Sequence, residues 1–153
     1  CADTDRDAPR QNPGVPAPFA SERAGRGKGM RGEPFGLADI GVNWCKLEPG
    51  ALASMRHCHS HEDEFVYILE GSPTLITDEG ATKLAAGMCA GFKAGSGNAH
   101  HLRNDSPEAV WYFEVGTRSA VDQVVYPDDD MSLHEHDGHY VYTHKNGDPY
   151  PAS

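Results

Sequence analysis

No stretch of this chain approaches the roughly 18 consecutive apolar residues that cross a bilayer as a helix, so a helical membrane span is excluded. Cysteine is sparse. Cys1, Cys45, Cys58 and Cys89 stand far apart with no Cys-x-x-Cys pair, which fits reduced thiols in the cytoplasm better than a disulfide framework. Positive charge is also short: Lys and Arg number 13 against 23 Asp and Glu, a formal net charge of −10. A surface of that sign repels phosphate backbones, and no basic patch in the body of the chain offsets it, so no nucleic-acid partner is expected. A Gly-x-Ser-x-Gly elbow is missing, which leaves a Ser/His/Asp hydrolase without support. No helix-turn-helix pattern is present either, which speaks against a stand-alone transcription regulator.

What the chain has in quantity is turn chemistry. Of 153 residues, 17 are Gly and 11 are Pro, and only 38% are hydrophobic. That balance favours many short strands over a helical bundle, in one domain with tails. Residues 1–36 mix Gly, Pro and basic residues with few large apolar ones, and read as an extended arm, partly disordered or packed on a neighbour. From Leu37 to residue 117 short apolar runs alternate with turn signals. Strand candidates are Gly41–Leu47, Leu52–His59, Glu64–Leu69, Thr74–Thr77, Thr82–Leu84, Gly87–Phe92, His100–Asn104 and Ala109–Val115. Glu48-Pro49-Gly50, Gly71-Ser72-Pro73 and Asp78-Glu79-Gly80 punctuate them. Regular spacing of this kind predicts an all-β sandwich or barrel. Residues 118–153 read as an irregular C-terminal extension, in which Tyr140–Pro151 can add an edge strand or a dimer contact.

Chemistry concentrates in Arg56-His57-Cys58-His59-Ser60-His61-Glu62-Asp63-Glu64. Side chains two apart on a strand share a face, so His57 and His59 present two imidazoles side by side. A turn across the next four residues can bring Glu64 back to that face. Imidazoles with a carboxylate suit divalent first-row metals: Mn, Fe, Ni, Cu or Zn. A second group, His100-His101-Leu102-Arg103-Asn104, can add a fourth ligand, and periodicity alone leaves His100 and His101 both open. Cys58, between the paired histidines, should point away from them. Cys45 and Cys89 read as buried packing thiols. The run Asp128-Asp129-Asp130 with His134, His136 and His139 lacks the alternation of a calcium loop and reads as solvated tail.

The spacing of His57, His59, Glu64 and Gly71 resembles the first motif of the cupin superfamily, an HxH pair followed by Glu and then Gly. Residues 87–104 resemble its second motif, with Gly87, Gly95, His100 and Asn104 in order. The wording Glu62-Asp63-Glu64-Phe65-Val66-Tyr67-Ile68-Leu69-Glu70-Gly71 looks like that of small single-domain bacterial cupins. Gly50 stands one residue further from His57 than the motif has it, and Lys93 replaces its usual proline. Both changes bear on loops rather than on ligands. The resemblance implies a jelly-roll β-barrel, a double-stranded β-helix of the RmlC-like kind, with one divalent metal held by His57, His59, Glu64 and His100.

Cupin barrels host many reactions, so the fold does not name one. The reading is a metal-dependent enzyme acting on a small oxygen-rich molecule, a sugar-like compound or an organic acid. The reaction class is dioxygenation or Lewis-acid isomerase or lyase chemistry. The alternative is a non-catalytic binding or sensing barrel with a structural metal. Glu64 as a ligand is not free to be a base, which leaves Tyr67 and His101 as candidate acid or base groups. A homodimer and a cytoplasmic location are expected. Cys1 opens one alternative location, as the acylated residue of a bacterial lipoprotein.

Overall fold

The computed structural model describes Pro16, Phe19, residues 24–136 and residues 139–151. Cys1 and most of the arm before residue 24 lie outside the described residues. The strands are β1 (Arg26–Met30), β2 (Ile40–Leu47), β3 (Cys58–His59), β4 (Glu64–Glu70), β5 (Thr74–Thr77) and β6 (Gly80–Lys83). They continue with β7 (Cys89–Phe92), β8 (His101–Arg103), β9 (Val110–Thr117), β10 (Gln123–Tyr126), β11 (Met131–His136) and β12 (His139–Thr143). A 3-10 turn spans Glu33–Phe35, and Phe19 also has 3-10 geometry.

Every strand pairing is antiparallel, and three sheets result: β1-β2-β9-β4-β7, β12-β11-β10-β3 and β6-β5-β8. Together they form the all-β jelly roll that the turn-rich composition predicts. Period-two alternation sets the faces. On β2, Gly41, Asn43, Cys45 and Leu47 are buried while Val42, Trp44 and Lys46 are half-covered on the other side. The main core gathers Cys45, Leu47, Val66, Ile68, Leu75, Leu84, Leu102, Val110 and Tyr112. A second, smaller core of Met55, Val124, Tyr126 and Met131 lies under β10 and β11. Between the two sits a cavity of about 750 Å³.

Two stretches are more regular than their sequence suggests. Residues 26–30, read as arm, pair with β2 along their full length, from Arg26 opposite Leu47 to Met30 opposite Asn43. Their side chains turned to the cavity are Arg26, Lys28 and Met30, separated by glycines, so hydrophobic alternation cannot reveal the strand. Residues 123–143, read as irregular extension, form β10 to β12, and the acidic run 128–130 is the β10–β11 turn. Leu52–His59 departs the other way. Its ladder to the neighbouring segment is broken into the isolated bridges Leu52 to Arg103 and His57 to His100, with β3 reduced to two residues.

Candidate metal centre and its cavity

Inward parity brings the four expected ligands together. Glu64 opens β4 on the same face as buried Val66 and Ile68. His57 faces it from the bridge with His100, and His59 from β3. Glu64 Oε2 lies 3.7 Å from His57 Nε2, 3.7 Å from His59 Nε2 and 3.1 Å from His100 Nε2.

The rings are held from behind. His57 Nδ1 lies 3.0 Å from the Met55 carbonyl oxygen and 3.0 Å from Ser54 Oγ, while His59 Nδ1 lies 2.7 Å from Asp122 Oδ2. A carbonyl or carboxylate only accepts, so both ring protons sit on Nδ1 and both Nε2 atoms present lone pairs inward. The His100 ring stacks flat on Phe92, with centroids 3.4 Å apart. Burial lowers the His100 pKa against the opposing pull of Glu64, which favours the neutral, ligand-ready imidazole. Burial also works against charge on Glu64. The adjoining imidazoles of His100 and His57 outweigh it and hold the carboxyl well below the usual range. Nitrogen lone pairs converging on one carboxylate oxygen are electrostatically sound around a cation, so the donor set fits a divalent first-row metal.

Of the other sequence candidates, Tyr67 and His101 do not line the cavity. Tyr67 lies between inward Val66 and Ile68 on β4, and the alternation turns it to the outer face, 40% exposed. His101 follows inward His100, so its ring turns away, and Nδ1 lies 3.2 Å from the Ser54 carbonyl oxygen. Cys45 is buried and its thiol is pushed up to about 12 by burial and by Glu114, which suits a packing residue. Cys89 is exposed rather than buried, because β7 pairs it with outward Tyr67. Asn104 of the second motif is fully buried and ties a turn: its amide nitrogen donates to the carbonyls of Leu47 and Glu108.

Three features of the cavity escape a sequence reading. Asp122, just before β10, accepts from the backbone N–H groups of His61 and Glu62 while holding His59. Glu114 of β9 is bound by Arg26 at 2.9 Å, Lys28 at 2.6 Å and Asn43 at 3.2 Å. Gly116 and Gly41 occupy the places beside Glu64 on the neighbouring strands, which clears side chains from that row. None of these has a local signal: each depends on residues at least 50 positions away, as in Asp63 N to Thr117 Oγ1 or His59 to Asp122.

The described cupin-domain family profile matches residues 43–116. A structure named as a sugar phosphate isomerase from a cupin superfamily, from Silicibacter pomeroyi, is 36% identical with a TM-score of 0.85, over 90% of this chain and 88% of that one. The chain belongs to the cupin superfamily. A candidate sugar phosphate isomerase from Acidithiobacillus ferrooxidans is 29% identical with a TM-score of 0.73, over 79% of this cupin and 77% of that chain. A predicted oxalate decarboxylase from Thermotoga maritima, 20% identical with a TM-score of 0.52 over 61% and 79%, shares the fold. No curated protein sequence matches.

Proposed function

We propose that this cupin is a metal-dependent enzyme acting on a sugar-like small molecule, with isomerase-type chemistry. The observation that carries the reading is the convergence of three imidazole Nε2 atoms on Glu64 Oε2 at the wall of a cavity of about 750 Å³. The names of two structural neighbours favour a sugar over an organic acid. His57, His59, His100 and Glu64 would hold one Mn, Fe, Ni, Cu or Zn ion, which supplies Lewis-acid polarisation of a carbonyl oxygen. Asp122 keeps the His59 lone pair aimed inward. The cleared row at Gly41 and Gly116 gives the substrate room beside Glu64. With Tyr67 and His101 turned away, proton transfer falls to groups on the cavity wall, where Glu62 and Tyr140 stand.

No helix among the described residues is long and apolar enough to cross a membrane, and the scattered thiols accord with a cytoplasmic location. The outer face of the five-stranded sheet, where Phe65 and Tyr67 are exposed beside Trp44 and Phe113, supports a homodimer built on that face.

The test is elemental analysis of wild type and His59→Ala, each purified without chelator or metal-affinity resin, followed by NMR observation of aldose and ketose substrates. About one equivalent of first-row metal in the wild type, lost in the variant, with interconversion of the sugars, is the expected result. No metal even after reloading sinks the reading. One equivalent of metal with saturable sugar binding and no turnover replaces the enzyme with a binding barrel.

A further inference from the structure

The carboxylates of the cavity wall are committed to donors. Glu62 Oε1 accepts from Ser119 N–H at 2.8 Å, Asp63 Oδ1 from Ala94 N–H at 2.8 Å, and Asp122 Oδ1 from His61 N–H at 2.8 Å. Glu114 is engaged by two cations at once, which leaves that trio with one positive charge in excess. Arg118 is different. It lies two residues beyond Gly116, on the inward parity of β9, and lines the same cavity as His57, His59 and Glu64. Its backbone N–H donates to the Asp39 carbonyl at 3.0 Å, which fixes where the side chain starts. Its guanidinium makes no ion pair and no hydrogen bond among the described residues, although Glu62 on the same wall feels its charge, in a chain with ten more acidic than basic groups. A Cβ placed on Gly41 would sit 3.6 Å from Arg118 Nε and from one terminal nitrogen, and 3.8 Å from Asn43 Nδ2. The free guanidinium therefore lies across the row that Gly41 and Gly116 clear beside Glu64.

We propose that Arg118, with Lys28 on the same sheet, is the anchor for the phosphate of a phosphorylated sugar whose other end reaches the metal centre. This rests on the reading of the cavity as a site for a sugar-like substrate. A guanidinium offers paired N–H donors matched to two oxygens of a phosphate, and a fork left unpaired spends nothing on breaking an ion pair before it binds. Two glycines on the floor let the substrate lie against backbone. Asn43, whose amide already donates to Glu114, closes the far side.

The test is calorimetric titration of inorganic phosphate, with acetate as the carboxylate counterpart, into wild type, Arg118→Gln and Arg118→Lys. Each is measured metal-loaded and chelated, with metal content assayed in parallel. The expected result is saturable phosphate binding by wild type in both states, weakened by about tenfold or more in Arg118→Gln, partly kept in Arg118→Lys, and unaccompanied by metal loss. Phosphate binding unchanged in Arg118→Gln, or binding that appears only with metal and survives that substitution, overturns the anchor. So does a wild type that prefers acetate or binds neither anion. Should metal be absent while phosphate binding still depends on Arg118, the metal reading fails and the anchor stands.

Discussion

At Gly71 the backbone takes φ of +87°, and a Cβ there would meet Val110 Cγ2 at 2.8 Å and the Ala109 carbonyl oxygen at 2.9 Å. The strain and the contact act together, because β9 cannot withdraw without losing its pairing to β4. Gly71→Ala is expected to cost about 2 kcal/mol or more, read as a lowered denaturation midpoint in urea. Asp122 is a different kind of residue, one that acts through another. Asp122→Asn removes the charge behind His59 Nδ1 while keeping an oxygen for the loop N–H groups. Metal affinity should fall about tenfold or more with little change in the apo protein's stability, measured by competition with a chelator and by chemical denaturation. The first of these residues is legible in the sequence, since a glycine seven positions past the glutamate marks the motif. The second is not, because no spacing relates positions 59 and 122 until β10 pairs with β3.

At the scale of the strand, β1 shows why some elements hide. It is held by the Arg26 and Lys28 pairs to buried Glu114, not by apolar side chains, so a search for hydrophobic period passes over it. The same pairs make a prediction about acid. Burial opposes charge on Glu114, but Lys28 and then Arg26 outweigh it, and the folded pKa lies below the ordinary glutamate range. Its stabilisation is complete above that range and is lost as pH falls through the folded value. Glu114→Gln is expected to cost about 3 kcal/mol at neutral pH, because it strands two cations, and to flatten the acid limb of the stability curve. Denaturant midpoints across the acid range check both. β10 to β12 hide for another reason: the acidic run in their first turn looks like the start of a solvated tail. Here Arg56 gathers Asp128 at 2.7 Å and also Asp78, fastening the β10–β11 turn to the β5–β6 hairpin. Most strands of the barrel proper, by contrast, are short apolar runs closed by turn residues and are readable to within a few positions, the expected Leu52–His59 strand, of which only Cys58–His59 forms, being the exception.

Across the whole molecule, the candidate ligands come from different sheets: Glu64 from the five-stranded one, His59 from the four-stranded one, and His100 from the residue preceding β8. An ion bound there cross-links them, and its binding energy becomes folding energy. At a hundredfold excess of metal over Kd the gain is about 2.7 kcal/mol, or roughly 5–10 °C in Tm for a chain of this size. His59→Ala should show no such shift in differential scanning fluorimetry. The exposed aromatic face offers a second check. Tyr67→Glu, opposite Phe113 and Cys89 in the ladder, is expected to convert a dimer into a monomer by light scattering, with metal content unchanged. The fold, and the meeting of His57, His59 and His100 around Glu64, are legible because alternation and motif spacing are local properties. The supports of the site are not, because they are made by contacts between ends of the chain.

The central place of β9 bears on how the protein is made. It is the shared neighbour of β2 and β4, and it comes last of the five strands of its sheet. A chain leaving the ribosome therefore shows both inner edges of that sheet, open and apolar, until residue 117 has emerged, and Asp122 follows only then. Refolding should be slow, from milliseconds to seconds, as for other proteins dominated by distant pairings. Chains halted before β9 are the species from which aggregates grow during expression.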